Sequence, residues 1–120
     1  MRTRENGDSQ LILIISTRAT PLQITQMLIE HKFYIKVVVD IELHILAGGG
    51  EMHYDEEKVL LENGSRQQDI WGAGFMPSNQ NIRYDSMINL RPRQNRSMEI
   101  LDATIRERVA QIILEFLGEI

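Results

Sequence analysis

Asp40, Glu51 and His53 are the residues whose types and spacing could hold a divalent ion. Asp40 falls in a run of alternating apolar and polar residues, and Glu51-x-His53 falls in a second run after a reversal, so both runs together read as a β-hairpin. Two carboxylates and an imidazole suit magnesium, calcium or zinc, and an ion so held would activate water in a metal-dependent hydrolase or nuclease. The spacing works against that chemistry. A two-residue turn at Leu43 and His44 pairs Asp40 with Ala47 and leaves Glu51 further along the strand, roughly 13 Å away at strand rise. Only a bulge at Gly48, Gly49 and Gly50 would shorten that path. Glu51 and His53 point the same way as half of a zinc site, but His31 on a helix and His44 at the turn supply no third ligand, so no metal and no cofactor is assigned.

Arg91, Arg93 and Arg96 are the second candidate. Pro92 has no N–H to continue a strand ladder, so the chain leaves the sheet there as a loop, and loops on rigid strands are where binding groups concentrate. If the extended conformation persists through Pro92, Arg91 and Arg93 present neighbouring guanidinium forks to a phosphate or carboxylate, with Arg96 folding back. The competing account pairs these arginines with Glu99, Asp102 or other acids. Gly48 to Gly50 invites comparison with a phosphate loop, but such a loop must open a helix, and here Glu51 follows in a strand pattern. The absent side chains leave room for a large one, such as Trp71 or Phe75, to cross the sheet. Trp71, flanked by Gly72 and Ala73, is either a core anchor or a stacking platform, and its apolar neighbours favour the core.

The elements that position these groups follow from periodicity. Residues 11–15 read as a buried strand. Thr20, Pro21 and Gln23 combine an N-cap, a proline at the first helical position and a capping box. Ile24, Met27, Leu28 and His31 then give an amphipathic helix of about three turns. With the strand beginning at Ile35, these make a βαβ unit whose strands are parallel. The hairpin register sets Ile41, Val39, Val37 and Ile35 against Leu46, Gly48, Gly50 and Met52, and Lys36 against Glu51.

Residues 55–64 carry two signals. Asp55, Glu56 and Glu57 suit an acidic first helical turn, whereas Asn63-Gly64 suits a hairpin turn, and the hairpin is preferred. A turn at residues 77–80 pairs Trp71, Ala73 and Phe75 with the face of Ser86, Tyr84 and Ile82, in a strand that continues through Ile88 and Leu90. Asp102 caps a last helix carrying Ile105, Val109, Ile112, Ile113, Phe116 and Leu117, which Gly118 stops.

The chain has 120 residues, with 42% hydrophobic and 25% charged, enough for one core and too balanced for disorder. Residues 1–10 read as a tail and 11–120 as one domain. No apolar run approaches a membrane span, and the first residues lack a secretory signal, so a cytoplasmic protein without membrane attachment is expected. The absence of cysteine excludes disulfides, thiolate nucleophiles and cysteine-ligated zinc. A net charge of −4 excludes broad nucleic-acid binding, although residues 83–96 hold four arginines against Asp85 alone.

Residues 39–42 (VDIE), 45–51 (ILAGGGE), 69–73 (DIWGA) and 88–98 (INLRPRQNRSM) together resemble a family of small bacterial proteins catalogued only as a domain of unknown function. The resemblance extends over nearly the whole chain after the tail, and it implies no residue roles and no reaction. The expected fold is α+β, a largely antiparallel sheet of four to six strands with two helices packed on one face. The other face is left partly open, with Val38, Ala47 and Ile45 on it, which favours a homodimer. The expected function is a binding or regulatory module that recognises a protein, RNA or another anionic ligand through that face and the arginine loop. The alternative is the hydrolase using Asp40, Glu51 and His53.

Overall fold

The structure is a computed structural model that describes residues 11–119, so the expected tail at residues 1–10 lies outside the described residues. Its centre is β2 (Ile35–Asp40), whose neighbours are β3 (Ile45–Gly48) and β4 (Ile70–Met76). With β1 (Leu13–Ile15) and β5 (Asn81–Arg83) the sheet has five strands in the order β1-β3-β2-β4-β5, each antiparallel to its neighbours. β1 and β2 both run against β3, so they share a direction as expected, but β3 lies between them. β1 is shorter than expected, and its Ile14 is exposed because it belongs to an edge strand.

The β2–β3 hairpin forms in a different register from the expected one. Val39 faces Leu46 and Asp40 faces Ile45, a displacement of two residues that leaves every side chain on its expected face. The turn is therefore longer than the expected pair, with His44 at φ 59°. Asp40 organises it: Oδ1 accepts from the Glu42 and Leu43 amides at 2.9 and 2.8 Å. β3 then ends at Gly48, because Gly49 takes φ 98° and turns the chain out of the sheet. The expected Lys36–Glu51 strand pair is lost with it.

Residues 53–62 form α2 (His53–Glu62), not the first arm of a hairpin. Asn63-Gly64 ends this helix: Gly64 has φ 105°, its amide donates to Leu61 O, and the Ser65 amide donates to Leu60 O. The same left-handed backbone serves a helix C-terminus and a hairpin turn, and here the acidic first turn at Asp55 and Glu56 marks the helix.

One sheet face carries Ile35, Val37, Val39, Leu46, Trp71, Ala73 and Phe75, packed against α1 (Pro21–Met27) and α3 (Ala103–Leu117). Both helices start where the sequence places them, α1 with the Thr20–Gln23 capping box and α3 with Asp102 accepting from Thr104 and Ile105. Trp71 is a core residue, 1% exposed. The opposite face is not open. Val38, Ala47 and Ile70 are covered by Leu60 of α2, with Ile12, Ile45 and Ile88 around them. Of the apolar residues that favoured a dimer, Val38 and Ala47 are buried within the chain itself and Ile45 is partly buried.

β4 and β5 pair in the expected register, Phe75 with Ile82, but β5 stops at Arg83 and the chain forms a 3-10 turn at Met87–Asn89. β4 therefore has no strand beside Gly72. The Asn89 side chain replaces one: the Gly72 amide donates to Oδ1 at 2.8 Å and Nδ2 donates to Gly72 O at 3.0 Å. A side-chain amide thus satisfies a buried backbone pair that would otherwise be orphaned. Among the described residues no helix is long and apolar enough to cross a membrane.

Candidate functional site

The helix that covers the second face also shapes a cavity there. About 540 Å³ of space lies between the start of α2 and the 3-10 turn, over the first residues of β2. That volume falls within the range of small-molecule sites. Its floor is made possible by two glycines of β4. Lys36 pairs with Gly74 and Val38 with Gly72, so both glycines face this side of the sheet. A Cβ at Gly74 would lie 2.3 Å from the Tyr34 ring, and one at Gly72 would lie 2.5 Å from Ser86 Cβ. The missing side chains let Tyr34 and Ser86 lie across the strand, where they line the cavity.

His53 opens α2 and reaches the sheet beneath it. Its Nε2 lies 2.7 Å from Ala73 O, and since a carbonyl only accepts, Nε2 carries the proton. Burial lowers the His53 pKa more than the Ala73 contact raises it, so the imidazole is neutral. Tyr34 is shifted the other way: burial, followed by the nearby Asp85 charge, raises its pKa and keeps the phenol a donor. Asp85 is itself held by Arg83, Nε to Oδ1 at 3.3 Å. Lys36 is different. Among the described residues its ammonium has no hydrogen-bond or ion-pair partner, although it lies half-buried at the cavity wall.

The remaining walls are apolar. Met52, Tyr54, Met87, Ile88 and Met98 surround the opening, with Met87 72% and Met52 53% exposed. Thioether side chains adapt to the shape of what they contact, which suits a binding mouth better than a rigid catalytic one. Ser86 Oγ accepts from the Ile88 amide at 3.3 Å, and no hydrogen bond joins it to His53 among the described residues, so no nucleophile–base pair is assembled.

The sequence candidates fare differently. Asp40 is fully buried at the other end of β2, with Oδ1 on the turn amides and Oδ2 accepting from Ser65 Oγ at 2.6 Å. Glu51 is exposed ahead of α2, and His53 opens it with Nε2 on a backbone carbonyl. The three are not brought together: among the described residues no group of three or more histidines and carboxylates could hold a metal ion. The residue that sequence reading overlooked is Glu56, one helical turn beyond His53. It is completely buried, Oε2 accepts from the Gly50 amide at 2.8 Å, and Oε1 has no hydrogen-bond partner among the described residues. Gly48, Gly49 and Gly50 make room for Met27, Glu56 and Ile12, not for an aromatic ring.

The arginine loop does not stay extended. Arg91 and Asn95 exchange backbone hydrogen bonds around residues 92–94, so the chain reverses there. Arg91 lies 3.8 Å over the Trp71 ring and donates to Ile70 O and, at 3.2 Å, to Gln68 O. It closes the open edge of β4, and burial lowers its pKa more than Glu57 and Asp69 raise it. Arg93 and Arg96 are exposed, with Arg96 Nε donating to Pro92 O at 3.0 Å. A shallow hollow beside them is lined by Leu90, Arg91, Pro92 and Arg96.

No curated protein and no solved structure matches the chain. Residues 13–116 match the model of a family described as "Protein of unknown function (DUF5674)". That span takes in all five strands, α1, α2, all of α3 but its last residue and every residue lining the cavity, and the chain belongs to this family.

Proposed function

We propose that the protein is a binding module whose ligand enters the cavity between α2 and the 3-10 turn. The observation that carries this reading is the cavity's composition: methionine and aromatic side chains at the mouth, and a few polar groups, Tyr34, Lys36 and His53, beside them. Such a mixture buries the apolar part of a ligand and fixes its orientation through the polar groups. The exposed Arg93 and Arg96 add local positive potential to an acidic chain, which favours the approach of an anionic ligand or partner. The metal-hydrolase alternative has no observation in its favour, because both oxygens of Asp40 are engaged within the fold.

Methionine methyl NMR tests the reading with an uncharged probe. On titration with octanol, the ε-methyl signals of Met52, Met87 and Met98 should shift together and saturate, while that of Met27, 0% exposed in the opposite core, stays fixed. Absence of saturable shifts at the three rim methionines would remove the cavity as a binding site.

A further inference from the structure

The charge at the cavity floor selects among ligands. Asp85 faces the cavity, but Arg83 pairs with it, and His53 is uncharged there. Glu56 and His31 belong to the surroundings of the site without lining it. Among the described residues Lys36 has no hydrogen bond and no ion pair, although its charge is felt at the buried Glu56, and Tyr34 lines the same cavity with its hydroxyl over Gly74. An ammonium at the wall of a largely apolar cavity can give a ligand anion a charge-assisted hydrogen bond, about twice as strong as a neutral one. One lysine beside an acid suits a single negative charge. A phosphate dianion would call for more donors, typically arginine forks, and Arg91 is engaged at the β4 edge. Beyond the charge the walls are apolar and flexible, at Met52, Met87, Ile88 and Met98.

Resting on the cavity reading above, we propose that the ligand is a monocarboxylate with a flexible apolar tail, its carboxylate against Lys36 and the Tyr34 hydroxyl and its tail along the methionines. The ligand class is that of a fatty acid or a comparable amphipathic acid. It defines a site in which the head is chosen by charge and the tail by burial.

Calorimetric titration of the full chain with octanoate, octanol and octylamine tests it, since the three probes share one tail. Octanoate is expected to bind about ten- to hundredfold more tightly than octanol, the increment of a charge-assisted hydrogen bond, with octylamine weakest. Lys36→Met should remove the preference and leave octanol affinity unchanged. Tyr34→Phe, a smaller change to the fold, should weaken octanoate several-fold and spare octanol. Equal affinities for octanoate and octanol, unaffected by Lys36→Met, would overturn the charge assignment while leaving the cavity a binding site. Tighter binding of octylamine would also overturn it, pointing to Asp85 as the partner. Failure of all three probes to bind would overturn the cavity reading itself, and this proposal with it.

Discussion

Glu56 is a carboxyl group held where a carboxylate is costly. It is fully buried, the Gly50 amide is its one hydrogen-bond donor among the described residues, and burial pushes its pKa well above the ordinary 4.5, against the smaller opposing effect of Gly50. The folded chain therefore holds this proton more tightly than the unfolded chain does. The stability linked to it is fully present below about pH 4.5 and is lost as the pH rises toward the folded value, by at most about 1.4 kcal/mol per pH unit. Glu56→Gln keeps an acceptor for Gly50 and has no proton to lose. Thermal melts from about pH 5 to about pH 8 should show the variant gaining on the parent as the pH rises; a gap independent of pH would mean that Glu56 ionises normally. Arg91 makes a second test at this scale. Arg91→Ala uncovers the Ile70 carbonyl and should cost about 1 to 3 kcal/mol, whereas Arg93→Ala should stay within about 0.5 kcal/mol. Urea unfolding of both variants checks this, and equal losses would contradict the assignment of Arg91 to the sheet edge. From sequence the three arginines looked alike. What separates them is that β5 stops at Arg83 and leaves β4 unpaired beside Gly72, a tertiary fact with no local signal.

At the level of elements, sequence was most legible where several local signals agreed. α3 starts at its Asp102 cap and stops at Gly118, and the β4–β5 register follows from alternation on both sides of one turn. It was least legible where one signal had two uses. Asn63-Gly64 fits a hairpin and a helix end equally well, and the acidic first turn together with the packing of Leu60 onto Val38 and Ala47 decides for the helix. The cavity inherits that ambiguity, since His53, Met52 and Tyr54 are brought to it by α2. Two glycine substitutions separate conformation from space. Gly64→Ala meets nothing within 4 Å, so it should cost only the strain of positive φ, about 1 kcal/mol. Gly74→Ala must displace the Tyr34 ring. It should cost more in the same unfolding assay and should weaken octanoate binding as well, while Gly64→Ala leaves binding intact. Similar behaviour of the two variants would mean that Tyr34 does not depend on the Gly74 gap.

The whole molecule has helices on both sheet faces, so the sheet itself can meet a second copy only through its edges. β1 is the terminal strand opposite β5, and it carries the exposed Ile14 next to exposed Leu11. An edge strand with no neighbour on one side among the described residues can template pairing with a second copy. We propose that a homodimer of this chain pairs there, and light scattering tests it: the parent should give twice the monomer mass and Ile14→Lys the monomer mass, whereas a monomeric parent would remove the dimer. A dimer that survives the substitution would put the interface elsewhere. The expectation from sequence was a dimer through the face of Val38 and Ala47, and it missed because α2 was read as a strand. The cavity between α2 and the 3-10 turn is the feature on which the functional account depends, and a crystal structure grown with octanoate examines it most directly. The account predicts ligand density along Met52, Met87 and Met98, ending in a carboxylate within hydrogen-bond distance of Lys36 Nζ. Octanoate lodged instead beside Leu90 and Arg96, or an empty cavity at saturating ligand, would contradict it.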